Sequence, residues 1–124
     1  MTQEEKDLLF KDLCARLPYG VKVQHQRQDY LNEVQTIEII SKKYGEIETE
    51  SVLGFVDDFK PYLFPLSSMT EEQKEELQSL MIHDSYGILY HTIESIDYLC
   101  KNNIDYRGLI DKDLAIDATD LDIY

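Results

Sequence analysis

The sequence predicts an α+β domain with an N-terminal helix, a three-stranded antiparallel meander and C-terminal helices packed on the sheet. Apolar residues recur at helical spacing near both ends of the chain, whereas residues 21–51 alternate with a period of two. Short turns join these segments, which favours neighbouring strands. The length of 124 residues fits a single domain, which we expect over 1–117, followed by a mobile acidic tail over 118–124.

The first helix is predicted from its capping residues and its apolar stripe. Thr2 and Glu5 have the spacing of a capping box, and leucines recur every four residues after them. The helix must end before Pro18, because the residue before a proline is disfavoured in the α region. Cys14 and Cys100 fall in predicted helices, and we expect two reduced, buried thiols. A disulfide between them requires Cα atoms within about 7 Å.

Three strands follow the first helix. Val21 and Val23 alternate with polar residues, which is typical of a half-buried strand. Residues 34–40 are β-branched and apolar on both faces, which suits a central strand. Residues 27–32 are polar and predict a connection between these two strands. The third strand presents a row of carboxylates on one face, formed by Glu46, Glu48 and Glu50.

Residues 52–69 combine two prolines with many apolar side chains. Pro61 and Pro65 predict that neither a regular interior strand nor a long helix forms here. The segment is nevertheless too apolar for a solvated loop, so we expect it to pack over the sheet or the helices. Two interpretations stay open. The segment is either part of the core or an exposed docking patch, centred on Tyr62 and Phe64.

The last third of the chain predicts two further helices. Thr70 and Gln73 form a second capping box, and a later helix carries an apolar stripe from Leu89 to Cys100. Asparagines at 102–103 provide the left-handed residue that ends a helix. Asp105 is expected to cap a short final turn.

The charge of the chain is strongly negative and unevenly distributed. Twelve Lys and Arg against 25 Asp and Glu give a net charge of −13, and ten of these charges lie after residue 56. Direct binding to nucleic-acid phosphates is excluded, since it requires a positive surface. The acidic half repels anionic lipids and favours a basic partner. Glu72 and Glu76 of the predicted second helix are candidates for such a contact, although charge of this kind also serves solubility.

The sequence contains no motif of a known catalytic or cofactor site. It lacks a glycine-rich phosphate loop and the spacings of zinc proteases and serine hydrolases. His83, Asp84 and His91 come nearest to a metal cluster, but two histidines eight residues apart on a helix are about 12 Å apart. We therefore predict no catalytic residue, cofactor or metal. No secretory signal and no apolar segment of about 20 residues is visible, and we expect a cytoplasmic protein.

Three blocks of sequence resemble a family of small acidic proteins from gut bacteria, their prophages and mobile elements. The blocks are KDLCARLPYGV at 11–21, KPYLFPLSSMTEEQ at 60–73 and DYRGLIDKDLA at 105–115. The resemblance implies a cytoplasmic bacterial or phage-derived origin and supplies no activity, cofactor or site residue. The chain departs from the family pattern at Asp113, where glycine is expected, and in the polar stretch 24–32.

These observations favour a non-catalytic protein-protein interaction module. The contact residues predicted for a protein partner are Tyr62, Phe64, Glu46, Glu48, Glu50, Glu72 and Glu76. A homodimer through the apolar segment is one form of this hypothesis, and an acidic DNA mimic that binds a nucleic-acid-binding protein is another. The contrasting hypothesis is a ligand-binding domain or enzyme with a pocket between the sheet and the C-terminal helices.

Overall fold

Three helices and nine strands form the fold in the computed structural model, which describes residues 1–124. The helices are α1 (Gln3–Arg16), α2 (Glu71–Ser79) and α3 (Ile93–Lys101). The strands are β1 (Lys22–His25), β2 (Gln35–Ser41), β3 (Glu46–Thr49), β4 (Leu53–Phe55), β5 (Phe59–Pro65), β6 (Ile82–His83), β7 (Leu89–Tyr90), β8 (Ile104–Asp105) and β9 (Ile116–Asp117). The predicted α+β class is confirmed.

The main sheet has seven strands, so the prediction of three strands is wrong in number. Its hydrogen-bonded order is β4-β3-β2-β1-β5-β8, and β9 pairs with β5 as well. The three predicted strands correspond to β1, β2 and β3, which pair antiparallel, and β4 extends the meander. β5 is antiparallel to β1, whereas β8 and β9 are parallel to β5. The chain therefore passes through α2 and α3 before it returns to β5, as a parallel connection requires.

Strand β5 overturns the prediction that Pro61 and Pro65 exclude a regular strand. Successive residues of a strand direct their backbone groups to opposite edges. Phe64 donates its N–H on the β8 side, whereas the carbonyl of Leu63 accepts a hydrogen bond on the β9 side. Pro61 and Pro65 each lie two residues from Leu63, so their backbone groups point to the same edge as those of Leu63. On this edge β9 pairs only with residues 62–63, and the N–H groups that the prolines lack would point there. The prolines are tolerated because few backbone N–H donors are needed on this edge.

Helix α1 begins and ends where its sequence predicts. The Oγ1 of Thr2 accepts a hydrogen bond from the Glu5 N–H at 3.1 Å, and Glu5 Oε1 accepts one from the Thr2 N–H at 2.9 Å. This complete capping box fixes the first turn. The last helical residue precedes Pro18 by two positions. Gly20 then reverses the chain with φ 73°, a conformation that glycine adopts without strain.

The C-terminal helices follow the predicted caps more closely than the predicted apolar stripes. The Thr70–Gln73 capping box at the start of α2 is confirmed. Helix α3 begins only after Thr92, which forms a capping box of its own. Leu89 lies in strand β7 and Ile93 is 87% exposed, so the prediction that both belong to the buried stripe of one helix is wrong.

Left-handed residues shape the chain after α3. Asn103 has φ 57°, as predicted for the end of a helix. The carboxylate of Asp105 accepts hydrogen bonds from the N–H groups of Leu109 at 3.0 Å and Ile110 at 2.9 Å, so its predicted capping role is confirmed. Asp113, at the position where the family pattern has glycine, has φ 58°. This backbone conformation is the one that glycine adopts most readily.

The buried face of α1 contains charged as well as apolar residues. Leu9, Asp12, Leu13 and Arg16 are all fully buried, and their spacing places them on one stripe of the helix. Cys14 follows Leu13 by about 100° of helical rotation and is exposed, so the prediction of a buried thiol there is wrong. Cys100 is buried as predicted, and both cysteines are free.

Asp12 and Arg16 form an ion pair inside the protein. The Nε of Arg16 donates to Asp12 Oδ2 at 2.8 Å, and its Nη2 donates to Asp12 Oδ1 at 3.2 Å. The same Nη2 donates to the carbonyl of Ile104 at 2.7 Å, which ties α1 to β8. Arg107 Nε lies 3.2 Å from Asp12 Oδ1 and adds a second guanidinium to this carboxylate. We call these three side chains the Asp12 cluster.

The segment 118–124, predicted to be a mobile tail, lies against the sheet. The hydroxyl of Tyr124 donates to the carbonyl of Tyr62 at 2.7 Å and accepts a hydrogen bond from the Lys22 N–H at 3.0 Å. It therefore bridges β5 and β1. Burial raises the pKa of Tyr124 to about 12, so the bridging hydroxyl stays protonated at neutral pH. Ala118 at the start of the segment is also buried.

Removal of the Asp12 carboxylate is expected to destabilise the fold strongly. Asp12→Ala leaves the buried Arg16 guanidinium without its partner, and we expect a loss of about 3–5 kcal/mol in the free energy of unfolding, measured by urea denaturation. Asp7→Ala on the exposed side of α1 serves as the control and should change stability by less than about 0.5 kcal/mol. Equal losses for the two variants would contradict a structural role for the cluster.

Candidate functional site

The first two glutamates of the predicted carboxylate row lie on one face of β3, as the alternation indicates, and Glu50 directly follows the strand. Ile47 and Thr49 between the glutamates are buried, whereas Glu48 and Glu50 are exposed and Glu46 is half-buried. Glu50 Oε2 accepts a hydrogen bond from the Thr36 N–H at 2.9 Å, so this carboxylate stabilises the end of β2. Glu48 is the member of the row that is most available to a partner.

Glu72 and Glu76 lie on the exposed surface of α2. The side chain of Glu72 makes no hydrogen bond or ion pair. Glu76 Oε2 accepts a hydrogen bond from the Tyr98 hydroxyl at 2.7 Å. Burial and the neighbouring Glu76 carboxylate raise the pKa of Tyr98 to about 12. Glu76 therefore links α2 to α3 in addition to carrying surface charge.

Tyr62 and Phe64 do not form an exposed patch. Tyr62 is only 5% exposed, and Phe64 is half-buried with its ring centroid 5.9 Å from that of Tyr124. Both belong to β5, so the interpretation of this segment as part of the packed interior applies to Tyr62. The site therefore has to be sought elsewhere on the surface.

The exposed apolar residues concentrate on the hairpin formed by β6 and β7 and on the first residue of α3. Tyr86 is 88% exposed and Ile93 is 87% exposed. We define the hairpin surface as these two residues together with the other exposed apolar side chains of this region, which are Ile82, Ile88 and Tyr90. A group of exposed apolar side chains of this kind is typical of contact sites on soluble proteins.

Asp84 builds the turn of this hairpin. Its Oδ1 accepts hydrogen bonds from the N–H groups of Tyr86 and Ile88, each at 2.9 Å, and its Oδ2 accepts one from the Tyr90 hydroxyl at 3.1 Å. Gly87 completes the turn with φ 81°. These bonds, first the one from Ile88, lower the pKa of Asp84 below its ordinary value of 3.8. At neutral pH the carboxylate is therefore charged, and its oxygens are engaged in the hydrogen bonds of the turn.

A groove of about 530 Å³ lies beside the hairpin surface. Ile93, Ile96 and Cys100 of α3 form one wall, and Ala15 of α1 contributes from the opposite helix. Burial raises the pKa of the Cys100 thiol, so it is neutral and contributes apolar surface at neutral pH. Asp97, which accepts a hydrogen bond from the Tyr19 hydroxyl, also lines the groove.

The segment that contains the hairpin carries only negative charge. Residues 75–100 contain five carboxylate side chains and no lysine or arginine, and Lys74 and Lys101 flank this segment. The segment therefore contributes a negative field to the apolar surface. The arrangement fits a contact with a partner that combines apolar side chains with positive charge.

The histidines near the hairpin have local contacts. His91 Nδ1 lies 2.9 Å from the Ser95 hydroxyl, and His83 is exposed. No group of three or more His, Cys, Asp or Glu side chains is arranged to hold a metal ion. One signal in the sequence indicates the hairpin, since Ile82 on one side and Leu89 and Tyr90 on the other flank an Asp and a Gly at turn spacing.

Comparison with family models, with curated proteins and with solved structures gives no match to this chain. The resemblance to small acidic proteins of gut bacteria stays a prediction. Among the helices of this fold, none combines the length with the apolar character that crossing a bilayer demands. The candidate site therefore depends on the geometry and charge of the hairpin surface and its groove.

Truncation of Tyr62 is expected to destabilise the protein. Because the ring is buried in β5, Tyr62→Ala should cost about 3 kcal/mol in the free energy of unfolding, measured by urea denaturation. Leu66→Ala, at a half-exposed position in the same block, should cost much less. If Tyr62→Ala were as stable as the wild type, the result would favour the alternative hypothesis that Tyr62 is a surface contact.

Asp84 is expected to control the order of the hairpin without controlling the whole fold. Asp84→Ala removes the two oxygens that accept these three hydrogen bonds, so the amide hydrogens of Tyr86 and Ile88 should exchange faster, while the melting temperature changes little. Since its pKa is lowered in the folded state, the contribution of Asp84 is present above pH 3.8 and is lost as the pH falls through its folded pKa. Unchanged exchange at both amides in the variant would refute this role.

Proposed function

We propose that this chain is a cytoplasmic, non-catalytic protein-binding module that contacts its partner through the hairpin surface and the adjoining groove. The observation that supports this proposal is the near-complete exposure of Tyr86 and Ile93 beside an apolar groove. Side chains of this size are usually buried when no partner covers them. The proposal keeps the predicted class of function and moves the contact from β5 to the hairpin.

The chemistry of the surface suits protein recognition. Tyrosine offers a large, nearly rigid contact area with a polar tip, and it is enriched among residues that dominate binding energy. Tyr86 and Tyr90 both lie on the hairpin. The groove beside Ile93 has room for an apolar side chain of the partner. The hydrogen bonds of Asp84 hold the hairpin in place, which reduces the entropy lost on binding.

The charge pattern supports a basic partner. Residues 75–100 contain five carboxylates and no lysine or arginine, and Lys74 and Lys101 flank this segment. The net charge of −13 steers a positively charged protein toward this surface and repels a second copy of the same chain. We therefore propose a partner that inserts an apolar side chain flanked by lysine or arginine residues, in preference to a homodimer.

Site-specific photo-crosslinking tests this proposal. A p-benzoylphenylalanine in place of Tyr86 should form an adduct with a basic protein in cells, whereas the same group in place of Tyr44, which is 63% exposed on the β2–β3 turn, should not. Ile93→Ser should weaken binding, and with it adduct formation at position 86, by about thirtyfold, because a central contact contributes about 2 kcal/mol. Its melting temperature should stay close to that of the wild type.

The outcomes separate the competing hypotheses. An adduct with a second copy of the chain favours a homodimer and contradicts the proposed partner. An adduct that forms only at position 44, on the turn before the glutamates of β3, is displaced by DNA and contains a nucleic-acid-binding protein favours the DNA mimic. Equal adducts at positions 44 and 86, or none at 86, would overturn the hairpin as the contact surface.

A further inference from the structure

A buried histidine lies at the end of β1, away from the hairpin in the sequence and outside the Asp12 cluster. His25 is only 1% exposed. Its ring makes an edge contact with the ring of Phe59 in β5, with centroids 4.8 Å apart, and a tilted contact with the ring of Tyr30 at 5.3 Å. The charged form of an imidazole is costly to bury, so its protonation is coupled to the structure around it.

A hydrogen bond to the ring determines where its proton lies. The N–H of Arg27 donates to His25 Nδ1 at 3.1 Å, so Nδ1 carries no proton and the neutral ring is protonated at Nε2. A positively charged ring has an N–H at both nitrogens and cannot accept this bond. Protonation of His25 therefore places two donors, its own Nδ1–H and the Arg27 N–H, against each other.

The bond from Arg27 anchors the loop that joins β1 to β2, which we call the 26–34 loop. The carbonyl of Arg27 accepts a hydrogen bond from the Tyr30 N–H at 2.9 Å, and the Arg27 guanidinium lies 5.8 Å from the centroid of the Tyr30 ring. That ring in turn packs on His25. These three residues form one chain of contacts, and histidine is the residue type that changes its charge near neutral pH.

Two charged side chains act on His25 with opposite effects. Asp58, in the turn before β5, favours the positive form, whereas Arg27 disfavours it. Gly54 of β4 leaves space for this approach, because a Cβ there would lie 3.0 Å from Asp58 Oδ2 and 3.3 Å from His25 Nε2. The phenol of Tyr30 is the third titratable group that faces the ring. Burial has the largest effect and lowers the pKa of His25 below its ordinary value of 6.5, so the ring is neutral at pH 7.

We propose that His25 is a pH-sensitive latch that holds the 26–34 loop in place near neutral pH and releases it in mild acid. The neutral ring accepts the bond from Arg27, whereas the charged ring cannot accept it and is attracted to Asp58. Its contribution is present above pH 6.5 and is lost as the pH falls through the pKa of the folded state. Release exposes the ring of Tyr30. The latch does not use the hairpin surface, so it is tested independently of the proposed function.

An NMR titration of the ¹⁵N-labelled protein from about pH 7.5 to about pH 5 tests the proposal. At the upper pH, a long-range ¹H–¹⁵N spectrum of the His25 ring should place the proton on Nε2. As the pH falls, the amides of Arg27 and Tyr30 should shift with the same midpoint as the ring. The protection of the Arg27 amide against hydrogen exchange, corrected for the intrinsic rate at each pH, should fall by about tenfold, because its acceptor is lost.

Three variants separate the latch from other titrations. His25→Asn supplies an amide oxygen near the position of Nδ1 and does not titrate, so the Arg27 amide should stay protected over the whole range. Asp58→Asn keeps an oxygen for the Phe55 N–H, which the aspartate binds at 2.8 Å, but removes the negative charge, so release should require a lower pH. His83→Gln on the exposed strand β6 is the control and should respond to pH like the wild type.

The spectra of the wild type decide the proposal even if His25→Asn does not fold. The proposal is overturned if Nδ1 carries the proton at neutral pH, or if the amides of the 26–34 loop do not follow the titration of the His25 ring. It is also overturned if His25→Asn responds to pH like the wild type, or if Asp58→Asn releases the loop at a higher pH.

Discussion

A guanidinium group that is fully enclosed by protein constrains the packing around it. Arg16 has no exposure to solvent, and removing such an ion from water costs several kcal/mol unless it is paired and hydrogen-bonded. Asp12 supplies the opposite charge from the preceding turn of α1, and the carbonyl of Ile104 supplies a further acceptor from β8. Because both residues belong to α1, the ion pair itself forms in any orientation of the helix, and the hydrogen bond to Ile104 is the contact that depends on how α1 packs. The position of α1 beside β8 follows from this contact.

The contact between Arg16 and Ile104 also positions α3. Strand β8 directly follows α3, so this contact fixes where the helix ends. Leu99 and Cys100 bury one side of the helix, while Ile93 at its first turn stays exposed. The nine residues of α3 span about 13 Å, so Ile93 and the hairpin surface lie at the end of the helix that is opposite to β8.

Local signals in the sequence predict local structure well in this protein. The capping boxes at Thr2 and Thr70 and the left-handed Asn103 are formed as expected, because each depends on residues within one turn of the chain. The assignments that depend on distant partners are the ones that fail. Pro61 and Pro65 are compatible with β5 because their backbone groups point to the edge that β9 occupies, whereas β8 pairs with the other edge.

The candidate sites show the same division between local and distant information. The exposure of the β3 glutamates follows from the alternation of a strand. The burial of Tyr62 and the exposure of Cys14 depend on which elements pack against them, and neither has a local signature. The hairpin carried a turn pattern around Asp84 and Gly87, but its strands of two residues are too short for periodicity to reveal.

The parallel partners of β5 have a consequence for how this protein is made. Residues 59–65 leave the ribosome well before residues 104–118, which supply β8, β9 and the backbone donor of Ala118. During that interval the nascent strand presents unpaired backbone groups and apolar side chains, a state that invites association with other chains. The long separation also raises the contact order of the sheet, which slows folding. Early protection of this edge during synthesis therefore reduces such association.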